Sequence, residues 1–165
     1  MYKRQLEYSA MAQFNTKEEF MEGNLFDFIE EYAMNILNRS DRLKVQVVRS
    51  DTEGIEMKFV PQNIAIILDN VVSNSTKYNA NELRVLLGKD EKQYTIDFID
   101  DGDGVSSDIA DLNELFEFGK GYTLTGTGVG LYHIKDIVEK DLQGTVTIES
   151  EPQKGFALHV RFGKV

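Results

Sequence analysis

The chain has 165 residues, enough for one domain with a real core and too few for two of ordinary size. Hydrophobic residues make up 41% and charged residues 28%, which excludes an unfolded polyelectrolyte. The formal net charge of −10, with Lys and Arg scattered, argues against nucleic acid or an anionic membrane as a partner. A phosphate-bearing ligand would need local backbone dipoles and a few placed cations, acting against the field of the whole chain.

Cysteine is absent, which excludes disulfides and thiolate metal sites and fits a reducing, cytoplasmic setting. The start MYKRQLEYSAMAQF has no apolar core of the roughly 7–15 residues that an export signal needs, and IAIILDNVV is short and contains Asp69. Neither secretion nor membrane insertion is expected of this chain.

Taken in order, NLFDFIEEYAMNILN over 24–38 sets Leu25, Phe28, Ile29, Tyr32 and Ile36 at helical spacing behind a possible Asn24 cap. LKVQVV and IEMKFV flank turn residues from Asp51 to Gly54, and a hairpin is expected there. Pro61 opens a helix whose apolar stripe, Ile64, Ile67, Leu68, Val71 and Val72, runs through about Tyr78. ELRVLLG and QYTIDFID form a second strand pair, and the latter runs into Asp100-Asp101-Gly102-Asp103-Gly104. A short helical stretch around DLNELFEF leads to GKGYTLTGTGVG, which is too glycine-rich for regular structure, and LYHIKDIVEKDL is again helical. TVTIES and FALHVRF close the chain as a hairpin. With no internal repeat and no long linker, the expected fold is an α/β (α+β) two-layer sandwich with a mixed, mostly antiparallel sheet and helices on one face.

Three constellations could carry chemistry. On the Pro61 helix, Asn70, Asn74 and Lys77 share one face. Amide oxygens can complete an Mg²⁺ shell of phosphate and water oxygens, and a neighbouring ammonium can neutralise phosphate. The same spacing also fits an ordinary solvated face. Asp100-x-Gly102-x-Gly104 follows a strand, where glycines let backbone approach a flat ligand and a carboxylate can accept from an exocyclic amine such as that of adenine. An acidic surface turn has the same composition, whereas a calcium loop would need alternating ligands that the run lacks. Gly126-Thr127-Gly128-Val129-Gly130-Leu131 opens a helix, so unpaired N–H groups and the positive end of the helix dipole could hold an anion without net positive charge. Its spacing is neither GxGxxG nor GxxxxGK[ST], and a plain flexible loop before a helix remains an alternative.

The order of these motifs resembles that of the ATP-binding domain shared by histidine kinases, type II topoisomerases, heat-shock chaperones of the ninety-kilodalton class and mismatch-repair ATPases. NVVSNSTKY resembles the asparagine box, DDGDGV the DxGxG box, LFEFGKGYT the phenylalanine box and GTGVGL the GxGxGL box, over roughly residues 61 to 162. Ser75 stands where that family usually has Ala, and of the last glycine motif only Gly155 is kept.

The resemblance implies a Bergerat-type fold that binds Mg²⁺ and ATP. Asn74 would hold the metal, Lys77 would touch phosphate, Tyr78 would lie by the nucleotide and Asp100 would accept the adenine amine, in a pocket shaped by Gly102 and Gly104. Residues 106–125 would form a lid with Phe116 and Phe118 as its apolar anchor, Lys120 as a γ-phosphate contact and Gly121, Tyr122 and Thr123 beside the nucleotide. Gly126, Thr127, Gly128, Val129, Gly130 and Leu131 would receive the phosphates.

Hydrolysing branches of the family have Glu where this chain has Asn70, and an amide cannot act as a base for water, so transfer to a histidine is favoured over hydrolysis. Asn70, Lys77 and Lys120 are the residues expected at the reacting phosphate. The acceptor is expected on a dimerisation domain of the same longer protein, with a response regulator as an indirect partner. Residues 1–23 then read as a junction to that domain and 24–165 as the ATP-binding domain, itself the cytoplasmic part of a sensor. His133 and His159 are read as structural, so the chain alone is expected to bind Mg·ATP without stably labelling itself. An ATPase of the topoisomerase or chaperone branch and a nucleotide-dependent interaction module are the rival readings.

Overall fold

The computed structural model describes residues 19–39, 42–106, 109, 111–117 and 130–163. Strand β1 (Met21–Asn24) leads into helix α1 (Leu25–Asn35), then come β2 (Lys44–Arg49), β3 (Glu56–Phe59), α2 (Pro61–Lys77), β4 (Glu82–Lys89) and β5 (Gln93–Asp100). A short 3-10 helix over Leu112–Phe116, helix α3 (Gly130–Asp141), β6 (Thr145–Ser150) and β7 (Phe156–Gly163) complete the described fold.

Five strands form one sheet in the order β2-β4-β5-β7-β6. Only β2 and β4 run parallel, and the other three pairings are antiparallel, as expected for a mixed, mostly antiparallel sheet. Strand alternation puts Leu83, Val85, Leu87, Ile96, Phe98, Leu158 and Val160 on the buried face. The helices cover that face through Leu25, Phe26 and Ile29 of α1, Ile64, Leu68 and Val71 of α2, and Ile134 and Val138 of α3. Tyr32 Oη donates to Asp69 Oδ1 at 2.9 Å and Asn63 Nδ2 to Asp141 Oδ2 at 2.8 Å, so α2 is tied to α1 at one place and to α3 at another.

The outer face of the sheet is polar at its middle. His159 Nδ1 lies 2.6 Å from Asp97 Oδ1 and its Nε2 lies 2.6 Å from Glu149 Oε1, while Arg161 Nη1 donates to the same Asp97 oxygen at 2.8 Å.

The expected hairpin of 44–49 with 56–59 does not form. β2 pairs with β4 in the large sheet, and β3 pairs antiparallel with β1 in a two-stranded sheet of its own. The turn between them is real: Asp51 accepts from the N–H groups of Glu53 (3.3 Å) and Gly54 (3.2 Å), and Gly54 has φ +72°. It sends the chain into a second sheet, because β2 finds a buried partner row in β4 that β3 cannot offer. Helix α1 starts where its cap predicts, with Asn24 Oδ1 accepting from Asp27 N at 3.1 Å.

Candidate functional site

Helix α2 has a buried stripe of Ile64, Ala65, Ile67, Leu68, Val71 and Ser75. Its periodicity therefore turns Asn70, Asn74 and Lys77 away from the centre of the core. Asn70 and Asn74 are half-buried and Lys77 is exposed. None of the three side chains makes a hydrogen bond or ion pair with a described residue. Tyr78 ends the helix with its N–H on the carbonyl of Asn74 at 3.1 Å, and burial pushes the pKa of its half-buried phenol up.

At the opposite wall, register places Asp100 in an inner row of the sheet that reads Val45, Leu83, Asp100, Phe156, Ser150. A carboxylate 7% exposed in an apolar row needs donors. Gly102 N–H donates to Oδ1 at 2.9 Å and Ser75 Oγ donates to Oδ2 at 2.7 Å. Gly102 is required by close approach, since a Cβ there would lie 2.6 Å from the carbonyl oxygen of Tyr78. That contact, with Asp103 N–H on the same carbonyl at 2.8 Å, locks the glycine turn onto the end of α2. Gly104 is buried with φ +74°, which suits a residue without a side chain.

Asp101 faces away from the cavity and accepts from the N–H groups of Asn81 (2.8 Å) and Glu82 (2.9 Å). Those bonds, led by that from Glu82, hold its pKa below the ordinary carboxylate value.

A narrow cleft lies between helix and sheet, lined by Val71, Asn74, Ser75, Leu83, Phe98, Asp100, Leu131, Phe156 and Leu158. Three of the expected site residues, Asn74, Asp100 and Leu131, thus meet although they come from three separated segments. Gly130, the first residue of α3, faces Asn70, for a Cβ added to it would lie 3.3 Å from Asn70 Oδ1. Lys77 and Tyr78 follow one turn beyond Asn74 on the same helix.

Phe116 is buried in the core with Lys135 Nζ 5.6 Å from its ring centre. Phe118, Lys120, Gly121, Tyr122, Thr123, Gly126, Thr127, Gly128 and Val129 lie outside the described residues.

Sequence reasoning noted Ser75 only as a departure from Ala and gave no role to it or to the apolar walls Leu83, Phe98, Phe156 and Leu158. Strand alternation carried the signal for the walls, because each shares the inward parity of Asp100 or its register partners. The serine gave none before its contact with Asp100 was known.

The family described as histidine kinase-, DNA gyrase B-, and HSP90-like ATPase matches residues 59–164. This chain belongs to that family. Its ATPase-family fold is also that of the catalytic domain of histidine kinase ThkA, in a nucleotide-free form, with a TM-score of 0.70, 19% identity and coverage of 88% of this chain and 98% of that one. Histidine kinase AdeS of Acinetobacter baumannii superposes with a TM-score of 0.65 at 14% identity, covering 96% of this chain and 74% of the other.

Among curated proteins, the sensor protein kinase PilS of Pseudomonas aeruginosa is 28% identical over 142 residues, 82% of this chain. The heme sensor protein HssS of Staphylococcus saprophyticus is 27% identical over 158 residues, 89% of this chain. The chain spans 26% of the length of the first and 34% of the second.

Proposed function

We propose that this domain binds Mg·ATP and presents the γ-phosphoryl group to a histidine on a dimerisation domain outside this chain, as the ATP-binding part of a cytoplasmic kinase module in two-component signalling. The observation that carries the reading is the single cleft shared by Asn74, Asp100 and Leu131.

The residues present fit both groups. Asp100 is a buried acceptor at the floor, matched to an exocyclic amine, and the walls around it are apolar. Asn74 offers an amide oxygen without a described protein partner, the kind of hard ligand that Mg²⁺ accepts beside phosphate and water. Lys77 is an exposed cation one turn on, and the start of α3 at Gly130 faces the same helix. The metal, when bound, would spread the charge that develops on the transferring phosphoryl group. Residues 106–125, with Lys120 as a γ-phosphate contact, would form the lid, Gly126 to Leu131 would receive the phosphates, and residues 1–23 would lead toward the acceptor domain, whose phosphorylated form would in turn serve a response regulator.

Asn70 favours transfer over hydrolysis. Its amide lies beside the start of α3, where a base for water would have to act, and it takes up no proton at neutral pH. A neutral imidazole attacks without such help.

Calorimetric titration with ATP, with and without Mg²⁺, tests the assignment. Asn74→Ala is expected to remove most of the magnesium dependence, and Asp100→Ala to remove the preference for adenine over other bases. Equal behaviour of both variants and the native chain would overturn it.

A further inference from the structure

We infer that Ser75 is a positioning and specificity-determining residue: with Asp100 it makes an acceptor-only floor to the cleft, which admits a purine carrying a 6-amino group and turns away a 6-oxo purine. The inference rests on the reading of the cleft as the base pocket.

A carboxylate is held by a terminal torsion with broad, shallow preferences, so one hydrogen bond leaves its plane free to turn. Here both oxygens are held, Oδ1 by Gly102 N–H at 2.9 Å and Oδ2 by Ser75 Oγ at 2.7 Å. Ser75 is 1% exposed and Asp100 7% exposed, so bulk water does not readily take over either role. The two neighbours on α2 show that the serine's orientation is a choice. Thr76 Oγ1 donates back along the helix to the carbonyl of Val72 at 2.9 Å, the usual resort of a hydroxyl in mid-helix, whereas Ser75 spends its one proton across the cleft.

That commitment decides what the floor offers. An ionised carboxylate has about four acceptor sites and no donor, and two of Asp100's sites are already filled. The hydroxyl has given up its only proton and keeps lone pairs alone, while the Gly102 N–H is engaged with Asp100. A ligand atom arriving between Ser75 and Asp100 must therefore donate. An amine does so, and a carbonyl oxygen would face acceptor against acceptor. Alanine at 75 would free the carboxylate plane and open the floor to other arrangements.

The test is titration of the 165-residue chain with the magnesium complexes of ATP, its 6-desamino purine analogue and inosine triphosphate, for the native protein, Ser75→Ala, Ser75→Cys and Asp100→Ala. Alanine suits a helix interior, and cysteine keeps the size of serine while donating poorly, so between them a folded variant lacking the hydroxyl donor is at hand. ATP affinity is expected to fall about three- to tenfold in both Ser75 variants, the scale of one lost hydrogen bond. Affinity for the desamino analogue should stay near the native value, and the margin against inosine triphosphate should narrow.

Native-like ATP affinity in the Ser75 variants, or equal losses for ATP and the desamino analogue, would overturn the role of Ser75 while leaving the base pocket standing. A native chain that does not distinguish ATP from the desamino analogue, or an Asp100→Ala variant that keeps the preference, would remove the pocket reading and the inference together.

Discussion

Asn70 sits on the same helix face as the proposed metal ligand, and its amide oxygen would be 3.3 Å from a Cβ at Gly130. Because Gly130 has no side chain, a slightly longer carboxylate fits there. Asn70→Glu is expected to raise ATP hydrolysis by at least about tenfold, below the 10²–10⁴ of an optimised general base. Phosphate release by the purified chain measures it, and an unchanged rate would mean that the amide is not what restrains water. Position 75 shows where residue-level reading stops. Serine for alanine looks like an exchange of small residues, and only the 2.7 Å bond to Asp100 shows that the hydroxyl has a task. Asn74 and Asp100, which the structure brings to one cleft, stood out in the sequence by residue type and spacing, whereas a second hydroxyl donor can come from anywhere in the fold.

Among the elements, the ends of α2, β4 and β5 are fastened together beneath the cleft. Asp101 gathers the first N–H groups of β4 and its neighbour, and Asp103 reaches both the carbonyl of Tyr78 through its N–H and the side chain of Asn79, whose Nδ2 donates to it at 2.7 Å. The Asp101 bonds favour the charged form in the folded state, so its folded pKa lies below the ordinary 3.8. This stabilisation is present in full above the unfolded value and is lost as pH falls from about 3.8 through the folded value. Urea unfolding across an acid pH series should show the native chain losing more stability in that window than Asp101→Asn. Coincident curves would contradict the linkage.

The helices and the β4–β5 and β6–β7 hairpins could be read from the chain because each is declared by its own periodicity and turn. The partners of β2 and β3 could not. A four- to six-residue strand carries no local mark of whether it pairs with the next strand or with one beyond a helix, and β1 has too weak an alternation, MEGN, to announce itself.

For the whole molecule, a net charge of −10 and the proposed nucleotide ligand would be reconciled locally: Leu131 of α3 lines the cleft and Lys77 follows Asn74 on α2, so a cation and a helix dipole would oppose the global field there. His159 is not placed to take a phosphoryl group from the cleft. His159 lies on the outer face with a carboxylate against each ring nitrogen, while its neighbour Leu158 lines the cleft on the inner face. His133 is exposed on α3. Incubation of the chain with γ-labelled ATP is therefore expected to leave no acid-labile label on it, and a stoichiometric one would sink the external-acceptor reading.

The row of Asp97, His159, Arg161 and Glu149 on the outer side of the sheet has a further consequence. An approaching protein that tried to cover it would have to strip hydration from hydrogen-bonded polar groups with little apolar area beneath to compensate. A partner docking on that side would bear this cost, whereas the cleft lies on the other, helix-covered side of the sheet.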